Sequence, residues 1–173
     1  DPFPATSPDG AYYPGATAAS TVFGLGFQAG LIYKLTEAMQ VGLAYTSEQF
    51  FDEFSWNSVN EDPADPAFGT HREFSFQINA PAIIAGGISY QANEKLFVEA
   101  DAKYYLYSST EGFEASGFTA TGAVAGFGWD DIMVVALGSE YQATDKVALR
   151  AGYNYSDNPI SEEVSFFNVS APA

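Results

Sequence analysis

The sequence is poor in several things, and each lack removes a class of function. It has no cysteine and one histidine, His71, so neither a disulfide framework nor a Cys/His zinc site can be assembled from it. Six lysines and arginines stand against 22 aspartates and glutamates, a formal net charge of −16. That excludes nucleic acid as a partner, because displacing the counterions of a phosphate backbone needs a basic patch. It also disfavours docking on an anionic leaflet. No apolar run approaches the ~18 residues of a transmembrane helix. The opening DPFPATSPDG lacks the basic and apolar regions of a signal peptide, so an exported chain is expected to be mature or an excerpt of something longer. No glycine-rich phosphate loop precedes a helix, no plausible helix is present, and no cofactor is expected.

What is abundant is aromatic and small: 11 tyrosines, 15 phenylalanines and 16 glycines among 173 residues, a β-protein composition. From Phe74 to Tyr90 every even position is apolar or glycine, while Ser75, Gln77, Asn79, Pro81 and Ser89 fall on odd positions. A period of two puts one greasy face on a strand. The stretch is roughly three times the usual five or six residues, which suits a tilted membrane-crossing strand. Pro81 removes a ladder donor in its middle and predicts a local kink or bulge, with Gly86 and Gly87 as companion kink candidates in the wall.

Residues 1–19 read as a proline-rich loop segment. From 20 to 156 the chain reads as antiparallel strands: 21–35 and 39–51 as a hairpin, then the central stretch, 96–108, 131–141 and 147–155. Long loops at 57–70 and 109–129 alternate with tight turns, provided the central stretch is one strand. Residues 157–173 return to loop or begin another strand. Short turns on one side and long loops on the other predict an all-β fold, an antiparallel transmembrane β-barrel of which six or seven strands are visible. Tyr33, Tyr45, Tyr90, Tyr104, Tyr141 and Tyr153 near strand ends fit interfacial girdles. The competing reading is a soluble β-sandwich, whose strands also alternate.

The segments GFQAGLIYKLTEAMQVGLAYTSE, APAIIAGGISYQANEKLFVEADAKYY and WDDIMVVALGSEYQATDKVALRAGYNYSDNPI resemble the FadL/TodX family of outer-membrane channels for fatty acids and aromatic hydrocarbons. The resemblance covers roughly residues 20 to 172. It implies part of a barrel of about fourteen strands in the bacterial outer membrane, passing hydrophobic small molecules by passive diffusion. It also implies a hatch and further strands, from a longer chain or from other chains, because open edges in lipid leave backbone groups unpaired. Outer-membrane lipids and lipopolysaccharide would surround it.

The predicted lumen-facing residues are Lys34, Glu48, Glu99, Asp101, Lys103, Glu140 and Arg150, with an ion pair expected between Arg150 and Glu140. Gly24, Gly26 and Gly30 on the same face leave room for a guest or a plug, or simply thin the wall. Tyr107, Phe113 and Phe118 are the candidate ligand-collecting aromatics of the long loop. The acidic pairs Glu61-Asp62, Asp130-Asp131 and Glu162-Glu163 read as solvated loop charge, since none has the spacing of a calcium loop. No catalytic residue is expected: a Ser-His-Asp site would have to centre on His71, at the mouth of a strand. The alternatives are an outer-membrane barrel enzyme, a lipid hydrolase or protease, and a surface or adhesive β-protein whose strands join between chains.

Overall fold

The computed structural model describes residues 20–118 and 124–165. In chain order the strands are β1 (Gly24–Leu25), β2 (Gln28–Lys34), β3 (Met39–Thr46), β4 (Phe50–Phe51), β5 (Phe54–Val59) and β6 (His71–Phe76), followed by β7 (Ile83–Asn93), β8 (Leu96–Tyr105), β9 (Ser116–Phe118), β10 (Val124–Phe127), β11 (Ile132–Thr144) and β12 (Val147–Ser156). The only helix among the described residues is one 3-10 turn at Tyr107–Ser109. Six strands form an antiparallel meander in the order β12-β11-β8-β7-β3-β2, and β1 with β4 continues its β2–β3 end.

The register explains the alternation in the sequence. Leu31, Leu43, Gly86, Ala102, Val135 and Tyr155 lie in one row across the sheet, and Tyr33, Val41, Ile88, Ala100, Leu137 and Tyr153 in the next. Between those rows, pointing the other way, run Ile32, Gly42, Gly87, Asp101, Ala136 and Asn154. One face is therefore apolar and the other, apart from Ile32, small, polar or charged. The apolar face is uncovered: Leu31 is 58% exposed, Leu137 57% and Tyr153 64%. The buried apolar residues among those described are Ala82, Phe113, Ile132 and Val164, none in the middle of the sheet. A soluble sandwich would bury such a face against a second layer. Among the described residues no second layer covers it.

The short connections share a device. Asn93 Oδ1 accepts the N–H groups of Lys95 and Leu96 at 2.9 and 3.1 Å, and Thr144 Oγ1 accepts Lys146 N–H at 3.3 Å. Gln91 and Gln142, each following a tyrosine, donate to the carbonyls of Asn93 and Thr144, both at 2.7 Å. The repeated Tyr-Gln-Ala-(Asn/Thr)-acid-Lys is thus a turn that caps itself.

Two expectations are corrected. The Phe74–Tyr90 stretch is not one strand: β6 ends at Phe76, β7 begins at Ile83, and β6 pairs with β5 in a separate two-stranded sheet. The alternation of connections survives, because the whole β5–β6 hairpin belongs to the long connection and β7 enters the meander from the same side. Pro81 lies in the interruption, but Gly86 and Gly87 do not kink the wall. They sit in an unbroken ladder, Gly86 against Leu43 and Ala102, Gly87 against Gly42 and Asp101.

The second hairpin strand is also not uniform. Gln28 faces Thr46 while Leu25 faces Phe50, so one extra residue is inserted between β3 and β4, a β-bulge around Ser47–Gln49. It reverses the faces, turning Phe50 to the apolar side and Phe51 over Gly24.

Candidate functional site: a polar wall and an aromatic cluster above it

On the polar face, β8 carries Glu99, Asp101 and Lys103 at successive positions, and Lys34 shares a row with Gln40, Ser89 and Glu99. Glu99, Asp101 and Lys103 line a trough of about 660 Å³ together with Gln40 and Ser89. Arg150 Nε donates to Glu140 Oε2 at 2.6 Å across the last hairpin, with side chains 74% and 38% exposed. Glu48 departs from the wall. It stands in the bulge and accepts a hydrogen bond from Asn79 Nδ2 at 2.8 Å. Gly24 and Gly26 are not empty either: an added Cβ would strike the Phe51 ring at one and Gln49 Cγ, at 2.8 Å, at the other.

Asn79 organises the interruption in the wall. Only 5% exposed, it accepts Phe51 N–H on Oδ1 at 3.0 Å, and its own N–H donates to the Glu111 carbonyl at 3.0 Å. Beside it Gln49 and Ala80 exchange backbone hydrogen bonds at 3.0 and 3.1 Å. Three segments, the bulge, the interruption and the loop after β8, are tied at one residue, the first through its side-chain amide and the last through its backbone N–H.

That loop is not the plain polar stretch its composition suggests. Gly112, at φ 87°, packs so closely on the 77–78 backbone that a Cβ would lie 2.8 Å from the Gln77 carbonyl. The tight approach brings Phe113, 9% exposed, into a cluster of rings. Its centroid lies 5.0 Å from Tyr107, 4.9 Å from Trp129 and 5.7 Å from Phe127. Tyr107 stands 5.1 Å from Trp129 and stacks on Tyr105 at 6.0 Å, while Phe76 meets Phe127 edge-on at 5.9 Å. Tilted and edge-to-face pairs at such spacings are the favourable ones. Burial raises the Tyr107 hydroxyl above its ordinary value, and Tyr105 adds to the shift. Tyr107 and Phe113 thus come together; the side chain of Phe118 lies outside the described residues, as do 1–19 and 166–173. Sequence reasoning missed Phe76, Phe127, Trp129 and Asn79. The signal for the rings was their density around Gly126 and Gly128.

Four of the loop acids hold backbone, Asp62 and Asp65 within their own turns and Asp131 and Asp157 across more than twenty residues of chain. Asp62 and Asp65 accept the N–H groups of Ala64 and Ala67 at 2.9 and 2.8 Å, Asp131 that of Ser108 at 2.9 Å, and Asp157 that of Met133 at 3.0 Å. Among the described residues no three His, Cys, Asp or Glu side chains are grouped to hold a metal. His71 opens β6 opposite Val59 and is exposed.

The comparisons agree with this architecture. No curated protein sequence matches the chain. Among solved structures it is similar to the Ralstonia pickettii toluene transporter TbuX, at 25% identity and TM-score 0.54, covering 79% of this chain and 36% of that one. It is similar in fold to the CymD monoaromatic hydrocarbon channel, at 24% and TM-score 0.57, covering 84% and 42%. The Pseudomonas putida toluene transporter TodX gives 21% and 0.51, covering 79% and 35%. The chain therefore spans well under half the length of these structures. The model of the outer membrane protein transport proteins (OMPP1/FadL/TodX) matches residues 17–170. An exposed apolar face on a single-layered antiparallel meander is what a wall facing lipid requires, and with that match the chain belongs to the OMPP1/FadL/TodX family of Gram-negative outer-membrane β-barrels.

Proposed function

We propose that the barrel to which this wall belongs is a passive channel for hydrophobic molecules, with monoaromatic hydrocarbons as the favoured class. The observation that carries the reading is the ring cluster of Tyr107, Phe113, Phe127 and Trp129, set on the long-loop side of the wall directly above the interruption at 77–82. A small aromatic guest exchanges into such a cluster by replacing one ring contact with another. The polar face below, with Glu99, Asp101 and Lys103, is the lumen in this reading. The similar toluene transporter TbuX supports the substrate class. Lipopolysaccharide and lipid surround the apolar face, and the remaining strands of the longer chain close the barrel.

The test is uptake by liposomes containing the full-length protein, with toluene and oleate as separate probes and empty vesicles as reference. Faster toluene entry is expected. Entry equal to empty vesicles for both probes rejects the channel, and faster entry of oleate alone transfers the assignment to fatty acids.

A further inference from the structure

The polar face holds two glycines that an alanine could not replace without moving a carboxylate. A Cβ on Gly138 would lie 2.6 Å from Glu99 Oε1 and 2.9 Å from its Cγ. A Cβ on Gly87 would overlap Asp101 Oδ1, with Cγ at 3.2 Å. Glu99 and Asp101 stand two residues apart on β8, yet they lean opposite ways. Glu99 lies toward β11, in the row that continues through Gly138 to Gly152, and Asp101 toward β7, in the row through Gly87 to Gly42. Each carboxylate is laid along a lane of two glycines. No hydrogen bond or ion pair among the described residues holds either one there, in contrast to Glu140 with Arg150.

We propose that Gly87 and Gly138 are seats: their missing side chains let Asp101 and Glu99 lie flat against the wall, and this keeps the bore open to neutral molecules. The argument is steric first. With no partner to fix it, a carboxylate displaced from its lane rises off the wall into the lumen. It then takes its bound water with it, and an apolar guest must strip or skirt that hydrated charge. Gly24 under Phe51 and Gly26 under Gln49 repeat the arrangement with uncharged side chains. These four glycines are spaces already filled by neighbours, which leaves the bore clear.

This inference rests on the channel reading, and the experiment separates the two. Full-length Gly138→Ala, Glu99→Ala and the double variant, with the corresponding Gly87 and Asp101 set, are reconstituted in liposomes and scored for toluene entry. Gly138→Ala is expected to slow entry about tenfold, the effect of ~1.4 kcal/mol on a barrier, and the double variant to return to the Glu99→Ala rate. Gly152→Ala, whose Cβ would meet only the Leu137 carbonyl at 3.4 Å, adds a methyl to the same face and is expected to leave entry unchanged. Equal rates for Gly138→Ala and wild type, or a double variant as slow as the single one, overturn the seats. If Gly138→Ala fails to fold, folding restored by Glu99→Ala supports them, and failure of both variants overturns them. If wild type passes no toluene, the channel reading falls. Potassium chloride conductance of the same variants in planar bilayers then decides the seats, by whether removing Glu99 restores what Gly138→Ala reduces.

Discussion

Asn79 donates its side-chain amide to the carboxylate of Glu48 at 2.8 Å across 31 residues of chain. The same amide accepts Phe51 N–H, so one side chain joins the strand bulge to the interruption beyond it. Asn79→Ala leaves the part-buried Phe51 N–H and a Glu48 carboxylate oxygen without these partners. The expected cost is about 1–3 kcal/mol in chemical denaturation of the full-length barrel. A loss below about 0.5 kcal/mol would mean that water replaces the amide and the latch is incidental.

The two faces of β11 give opposite predictions at neighbouring positions. Leu137→Arg places a charge on the apolar face near the middle of the strand and is expected to cost about 2–4 kcal/mol. Ala136→Arg, one residue earlier and on the polar face, is expected to cost about 1 kcal/mol or less. Folding into lipid vesicles at increasing urea measures both, and reversed costs would turn the wall inside out.

Phe113→Ala removes a nearly buried ring from the centre of the loop cluster and is expected to destabilise that region by about 3 kcal/mol, the scale of Phe-to-Ala truncation in packed sites. Phe113→Leu keeps most of the volume and is expected to cost less than half of that. Amide hydrogen exchange over residues 107–130 reads the effect locally. Unchanged protection in both variants would show that the rings touch without holding the loop.

The Tyr107 hydroxyl, raised by burial and by Tyr105, ties the loop to pH. A raised folded value means that the unfolded chain gives up this proton first. The stability from the neutral hydroxyl is complete below about pH 10 and is lost as pH climbs from there through the folded value. Tyr107→Phe is expected to remove that part of the alkaline decline, measured as the denaturation midpoint against pH. The same decline in both proteins assigns it to other tyrosines.

The Arg150–Glu140 pair, despite its short distance, is open to solvent, most of all at Arg150. Its coupling in a double-mutant cycle is expected to be about 0–1 kcal/mol, so the pair aligns the last hairpin more than it stabilises it. A coupling above about 2 kcal/mol would mark surroundings much drier than bulk water.

The six strands and the polarity of their faces were legible because lipid on one side and small or charged residues on the other impose a strict period of two. The same rule misread the central stretch. Phe76 keeps the phase of Ile84 and Ile88 but packs on Phe127 above the wall, so an apolar even position stood for loop packing and imitated a longer strand. The bulge at Ser47–Gln49 was invisible because one inserted residue reverses the faces without leaving any turn residue as a sign. The ring cluster was hidden in a segment whose glycines and small residues dominated the count. What joins Phe113 to Tyr107 and Trp129 is a close approach at Gly112, a fact of three dimensions.

The single-layered meander has one more consequence, for how this wall tolerates change. In a packed interior, shortening a leucine leaves a void that rigid neighbours cannot fill. At Leu31, Leu43 or Leu149 the neighbour is a fluid acyl chain that flows into the gap. On that surface side-chain size is free to drift while polarity is held, the reverse of the constraint at Phe113.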